Sequence, residues 1–136
     1  MYRERPLVEA AMIKVKHFLA EVEPDDGLRM WVVPLGLTKD LQEWCGVTRV
    51  MCHIGPPKDL WDWFESHPDD YEVFRGRYHD ALNHSHYRPA LQRLACAGMK
   101  ENFTLLHGSD DGDHSSASAL RDFINELEAY CPPEQP

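Results

Sequence analysis

His107, Ser109, Asp110, Asp113, His114 and Ser115 crowd one short stretch near the C-terminus, and residue types like these can hold a ligand, bind a cation or pass a proton. They lie in Phe103-Thr-Leu-Leu-His107-Gly-Ser-Asp-Asp-Gly-Asp-His114, which runs into Ser115-Ser-Ala-Ser-Ala-Leu120-Arg-Asp-Phe-Ile124. The first part reads as a buried strand, the middle as a turn and the last as an amphipathic helix. In an open α/β sheet, the crevice beyond the carboxyl ends of the strands is where ligands bind. Backbone N–H groups at the start of the helix and the loop hydroxyls would converge there. Asp110, Asp111 and Asp113 disfavour a phosphate and would suit a hard cation better, but their spacing does not match the calcium loop. The simpler alternative is that Asp113 or Ser115 caps the helix while the other acids complement its dipole. No metal or cofactor is assigned.

His53 is expected to end a third strand and His107 a fourth, so the two could face each other across that crevice. With Ser109 nearby, such a pair would permit general acid–base work. The plainer alternative is two histidines bonded to backbone carbonyls. Cys52 and His53 are adjacent on an expected strand and point to opposite faces, so they do not share an ion. His79 and His84 lack the spacing that stacks ligands on a helix, and His86 falls in a turn. Trp61, Trp63, Phe64, Tyr71, Phe74 and Tyr78 could form a stacking platform, but their helical spacing marks them as core, with Trp63 partly exposed. Cys45, beside Trp44, has no neighbouring base to activate it.

The elements that must position these groups follow from hydropathy. Met12 to Phe18 alternates apolar and basic residues, as a half-buried strand does. Glu23-Pro-Asp-Asp-Gly27 is a turn: proline fixes one dihedral and glycine supplies a positive φ. Leu28–Val33 is a second strand, pairing with the first as a hairpin if the long connection allows. Val47–Ile54 is a third strand, stopped by Gly55-Pro-Pro57, and Phe103–His107 is the fourth. Between them the period changes to 3.6. Leu60, Trp61 and Phe64 share one helical face; Tyr71, Phe74, Tyr78 and Leu82 line a second helix starting near Pro68. Leu91, Leu94 and Ala95 mark a third that Gly98 ends as a left-handed cap. Leu120, Phe123, Ile124 and Leu127 define the last helix, stopped by Cys131-Pro-Pro133.

Composition bounds the rest. A chain of 136 residues with 43% hydrophobic and 27% charged residues fits one soluble domain with its own core. A net charge of −9 without any Lys/Arg run argues against nucleic-acid binding. No stretch is apolar enough to cross a bilayer, and the first residues lack a secretory signal. The four cysteines (Cys45, Cys52, Cys96, Cys131) form no close pair, so they are expected as reduced thiols in a cytoplasmic protein.

Several strings in order resemble the YeaO-like branch of the domain-of-unknown-function family 488 (DUF488). They are Ile13-Lys-Val-Lys16, Pro24-Asp-Asp-Gly27-x-Arg29, Leu60-x-x-Trp63-Phe64-x-x-His67-Pro68, Phe74-Arg75-x-x-Tyr78, Thr104-Leu-Leu106-x-Gly108 and His114-x-x-Ala117-x-x-Leu120. The resemblance spans Met12 to about Ile124. It implies that the domain begins at Met12 and spans 12–130, with residues 1–11 an extension or a mis-assigned start; the tail 131–136, beyond the Cys131-Pro-Pro133 stop, is expected to fray. It also implies losses. The family's second strand ends in an Asp-Arg pair, absent here before Pro34-Leu35-Gly36, where Leu35 replaces an arginine. His107 replaces a tyrosine, Asp110 a basic residue and Ser115 an asparagine.

The resulting expectation is a single α/β domain with a small mixed or mostly parallel sheet of about four strands and about four helices. Its candidate pocket is His53, His107, Ser109, Asp110, Asp113, His114 and Ser115. Its function is expected to be non-catalytic or small-ligand binding, the family's polar site having been lost. The alternatives are a small hydrolase or transferase using the strand-end histidines and the acidic loop, or a protein–protein adaptor with an apolar patch near Trp44 or Trp63. A small-molecule or protein partner is expected rather than nucleic acid or membrane.

Overall fold

In the computed structural model, which describes residues 13–132, the expected strand segments become strands β1 (Ile13–His17), β2 (Leu28–Trp31) and β4 (Phe103–His107), with a two-residue β3 (Arg49–Val50) at one edge. They form one sheet in the order β1-β4-β2-β3, and every neighbouring pair is parallel. Five α-helices complete the α/β architecture: α1 (Lys39–Trp44), α2 (Lys58–Ser66), α3 (Tyr71–Asn83), α4 (Arg88–Gly98) and α5 (Ser116–Leu127). Alternation divides the strand residues between two faces. Ile13, Met30, Val32, Phe103 and Leu105 join the main core with Phe64, Phe74, Tyr78, Leu91, Leu120 and Ile124 from α2 to α5. Trp31, Val33 and Leu106 form a smaller cluster with Phe18, Leu37, Val47 and Trp61. No helix among the described residues is long and apolar enough to cross a membrane.

Several expectations are corrected. The first two strands do not form a hairpin: β4 lies between them, so Lys14, Thr104 and Arg29 share one row across three strands. The third strand is short because the chain leaves the sheet after Val50 and turns through Cys52–Ile54, which buries Ile54. His53 therefore ends no strand. α3 starts at Tyr71 rather than at Pro68. Gly98 is not a left-handed cap, since positive φ occurs only at Gly27 and Gly46 among the described residues. A β-carbon at position 98 would instead lie 3.0 Å from Ile13 Cδ1, so glycine there lets α4 press onto β1. The expectation of four reduced thiols also fails: Cys96 on α4 and Cys131 beyond α5 form a disulfide, while Cys45 and Cys52 are free. Residues 1–11 and the end of the tail lie outside the described residues.

The Pro-Asp-Asp-Gly-x-Arg string builds a buried ion cluster on the second face. Asp26 and Arg29 are each 1% exposed. The Asp26 carboxylate accepts from Arg29 Nη1 at 2.8 Å, Lys14 Nζ at 2.9 Å, Lys16 Nζ at 3.0 Å and the Glu23 backbone N–H at 3.1 Å. Thr104 Oγ1 donates to the Asp26 carbonyl at 2.7 Å, which ties the turn to β4. Arg29 also donates to the carbonyls of Phe18, Ala20, Cys45 and Gly46, so one guanidinium fixes two loops. Buried charges persist only when paired and hydrogen-bonded, and these are. Gly27, at φ 64, closes the turn against the Asn102 carbonyl, where any β-carbon would collide.

Candidate functional site

With all strands parallel, their carboxyl ends open on one side of the molecule, and the chain segments that follow them shape a cleft of about 390 Å³. Trp31, Val33 and Leu35 come from β2 and its continuation, and Trp61, Phe64 and Glu65 from α2. His107 ends β4, Gly108, Ser109 and Asp110 follow it, and Ser115 and Ser116 open α5. The indole of Trp31 donates to the Leu35 carbonyl at 2.6 Å, folding the Pro34-Leu35-Gly36 loop back over the strand end.

The strand–loop–helix reading therefore brings His107, Ser109, Asp110 and Ser115 to one cleft. Their bonding is local. His107 Nδ1 accepts the Ser109 backbone N–H at 3.1 Å, which leaves the proton of the neutral ring on Nε2, facing Gly112. Burial lowers the His107 pKa, and the neighbouring His17 lowers it further, so the ring is neutral at pH 7. Ser109 Oγ accepts from the Asp111 N–H at 3.0 Å and donates to the Asp111 carbonyl at 3.3 Å, a closed turn with no bond from its hydroxyl to the imidazole. Ser115 is the N-cap of α5. Its hydroxyl accepts from Ser118 N at 3.2 Å and donates to the Gly112 carbonyl at 3.0 Å, while Ser118 Oγ accepts from Ser115 N. Capping, the simpler alternative for this loop, is thus what Ser115 does.

The remaining nominated residues lie elsewhere. Asp113 is exposed and gives its carbonyl to Ser118 Oγ. His114 is exposed, 2.6 Å from Asp111 Oδ2 through Nδ1 and edge-on to Tyr71. That hydrogen bond to Asp111 raises the His114 pKa. His53 lines a separate pocket with Tyr87, Pro56 and Pro57, its ring 4.8 Å from that of Tyr87. The partner that sequence reasoning missed is His17. It ends β1 in register with His107, its ring meets that of His107 at 5.5 Å, and its Nδ1 accepts the Leu19 N–H just as His107 accepts that of Ser109. The signal was partial: the first strand was expected to run to Phe18, and only the structure ends it at His17, opposite His107.

No other chemistry gathers among the described residues. His79 bonds the Ala119 carbonyl, His84 Nδ1 faces the Asp80 carbonyl and His86 packs on Tyr87, so these three do not converge. Glu23, Asp25 and Asp26 are close enough for a cation, but the ammonium groups of Lys14 and Lys16 already sit among them. Cys52 donates its thiol to the Val33 carbonyl, and burial raises its pKa, the opposite of what a nucleophile needs. Trp63 is stacked between His67 and Arg77.

Leu35, which stands where the resemblance implies an arginine, is half-exposed on the cleft wall. Leu35→Arg is accordingly expected to shift unfolding free energy by no more than about 0.5 kcal/mol, as exposed substitutions do. A loss of several times that in urea denaturation would place the side chain in packed core.

Comparison with known proteins gives a family. The sequence profile described as "Inactive DUF488-N3 subclade" matches residues 12–131. Uncharacterized proteins of Mycobacterium bovis and of two Mycobacterium tuberculosis strains are each 29% identical to the chain over 94 residues, which is 65% of this chain and 75% of theirs. No solved structure matches the chain.

Proposed function

The chain belongs to the DUF488 family, in the subclade described as inactive, and from that premise we propose that its cleft holds a small ligand without transforming it. The observation that carries this reading is the direction of the cleft's hydrogen bonds. His107, Ser109 and Ser115, the groups capable of acid–base or nucleophilic work, turn them onto neighbouring backbone. A ring whose Nδ1 is occupied and whose Nε2 carries the proton is not poised as a base. The walls are Trp31, Val33, Leu35, Trp61 and Phe64, and the cleft volume lies at the small end of ligand pockets. Glu65 and Asp110 at the mouth oppose anions, so the ligand class is a small, largely apolar molecule that is uncharged or cationic. Kinship with the YeaO-like branch rests on the six strings quoted above and is part of this proposal.

A fragment screen read by protein NMR tests it. Uncharged and amine-bearing aromatic fragments are expected to shift the Trp31 and Trp61 indole signals and to be recovered unaltered. Trp61→Ala is expected to weaken them about tenfold, the loss of one aromatic wall, and His107→Gln to change them little. Fragment conversion that disappears in His107→Gln would replace this reading with the hydrolase or transferase alternative.

A further inference from the structure

α1 buries none of its residues, so the core does not explain its presence. It ends in Trp44, which is 84% exposed, and Leu41 lies one turn earlier on the same face. Beside Trp44, the loop after β1 exposes Leu19 (61%) and Val22 (55%). These three line one hollow of about 310 Å³ with Ala20, Glu21 and Cys45, and none of its residues belongs to the strand-end cleft.

The hollow is built, not a loose loop. Buried Arg29 donates to the Phe18 and Ala20 carbonyls on one side and to the Cys45 and Gly46 carbonyls on the other. Gly46, at φ 67, ends α1 where a β-carbon would come within 2.7 Å of Val22, so the two sides are packed together. A surface ordered in advance loses little entropy when a partner binds. An exposed tryptophan among aliphatic neighbours is also the composition of an interface anchor.

The charge around it selects the occupant. Glu21, Asp40 and Glu43 are exposed beside the apolar residues, with Lys39 the one cation on α1. The lysines of β1, the strand that leads into this loop, are Lys14 and Lys16, and both are engaged by Asp25, Asp26 and Glu23. A second copy of this chain would bring the same acids face to face and carries a net charge of −9. We propose that the Leu19–Val22–Trp44 hollow docks a basic amphipathic helix of another protein, its apolar stripe on Trp44 and its lysines or arginines against Glu21 and Glu43.

The test titrates the full chain with a synthetic Leu/Lys amphipathic helix of ~18 residues and with its Leu/Glu counterpart, read by amide and indole NMR. The Leu/Lys peptide is expected to give saturable shifts at Leu19, Val22 and Trp44 that weaken as salt rises, while the Leu/Glu peptide gives none. Trp44→Ser, a change at a largely exposed side chain, is expected to weaken binding at least about tenfold, and Trp61→Ala in the other cleft to leave it unchanged. Equal binding of both peptides, or binding indifferent to Trp44→Ser, overturns the proposal. So does a concentration-dependent dimer lost in Trp44→Ser, which would assign the face to a second copy. Contacts from residues 1–12 to the Trp44 indole before any peptide is added would assign it to the chain's own N-terminus, with the same consequence.

Discussion

Asp26→Ala is expected to lower the unfolding free energy by about 3–5 kcal/mol, the range for removing one partner of a buried ion pair. Against a total of roughly 5–15 kcal/mol for a domain, that is a large fraction. The substitution leaves the buried Arg29 guanidinium without its carboxylate, while Lys14 and Lys16 keep only the exposed Asp25 and Glu23. It also leaves Glu23 N–H without its acceptor. A urea midpoint that falls with an unchanged slope would register the loss. The cluster also makes the fold acid-sensitive. Burial works against ionisation of Asp26, but hydrogen bonds from Lys14, Lys16, the Glu23 backbone and Arg29 outweigh it and hold the carboxyl well below its ordinary value. A carboxyl depressed in the folded state adds stability that is complete above its unfolded pKa, about 3.9, and is lost as pH falls through the folded one. The native chain should therefore weaken below about pH 4, and Asp26→Ala should weaken less steeply there. A gap between the two proteins that stays constant down to about pH 2 would show that the carboxylate charge is not what the cluster needs.

Reducing the Cys96–Cys131 disulfide is expected to cost about 4 kcal/mol. The bond closes a segment with a sequence separation of 35, and chain-entropy arguments assign a loop of that size roughly this much. The bond anchors the chain beyond α5 to α4, and Gln92 Nε2 reinforces the joint by donating to the Leu127 carbonyl at 2.9 Å. Dithiothreitol should lower the melting temperature by on the order of 10 °C. A Cys96→Ser/Cys131→Ser variant should melt at that lower temperature with or without reductant. Intact-mass alkylation should find two free thiols in the native chain, Cys45 and Cys52. Four would restore the reduced state read from the sequence, and two would remove its argument for a reducing compartment.

Where hydropathy reflects a two-faced environment, the sequence was readable. β1 alternates because one face meets the helices and the other meets the ion cluster, whereas β4 reads as a continuous buried run because both its faces are covered. α3 and α5 show core stripes because Phe74, Tyr78, Leu120 and Ile124 are buried on one side. α1 left no such trace, since it buries nothing. The β-branched run at Val47–Ile54 overstated the third strand because a turn that buries Ile54 looks like an apolar strand position in one dimension. Strand order was out of reach: which strand separates β1 from β2 depends on a partner some seventy residues away. The same limit applied to the site. His107, Ser109, Asp110 and Ser115 meet because they are neighbours along the chain, whereas His53, assigned by analogy of strand ends, moved away once its strand proved to be a turn. The cysteine pair, far apart and without a spacing signature, gave no warning.

The central place of β4 has a consequence for how the molecule comes into being. β1 and β2 are synthesised early, yet neither has a ladder with the other, and the Asp26 turn awaits Thr104. During translation, some seventy residues must follow before the strand that joins them exists. Until then the edges of β1 and β2 that β4 covers stand open, the condition in which chains associate wrongly. Assembly is therefore expected to be a single late event governed by long-range closure. A nascent chain released before Phe103 could pair β2 with the short β3 but would have no means of joining β1 to them.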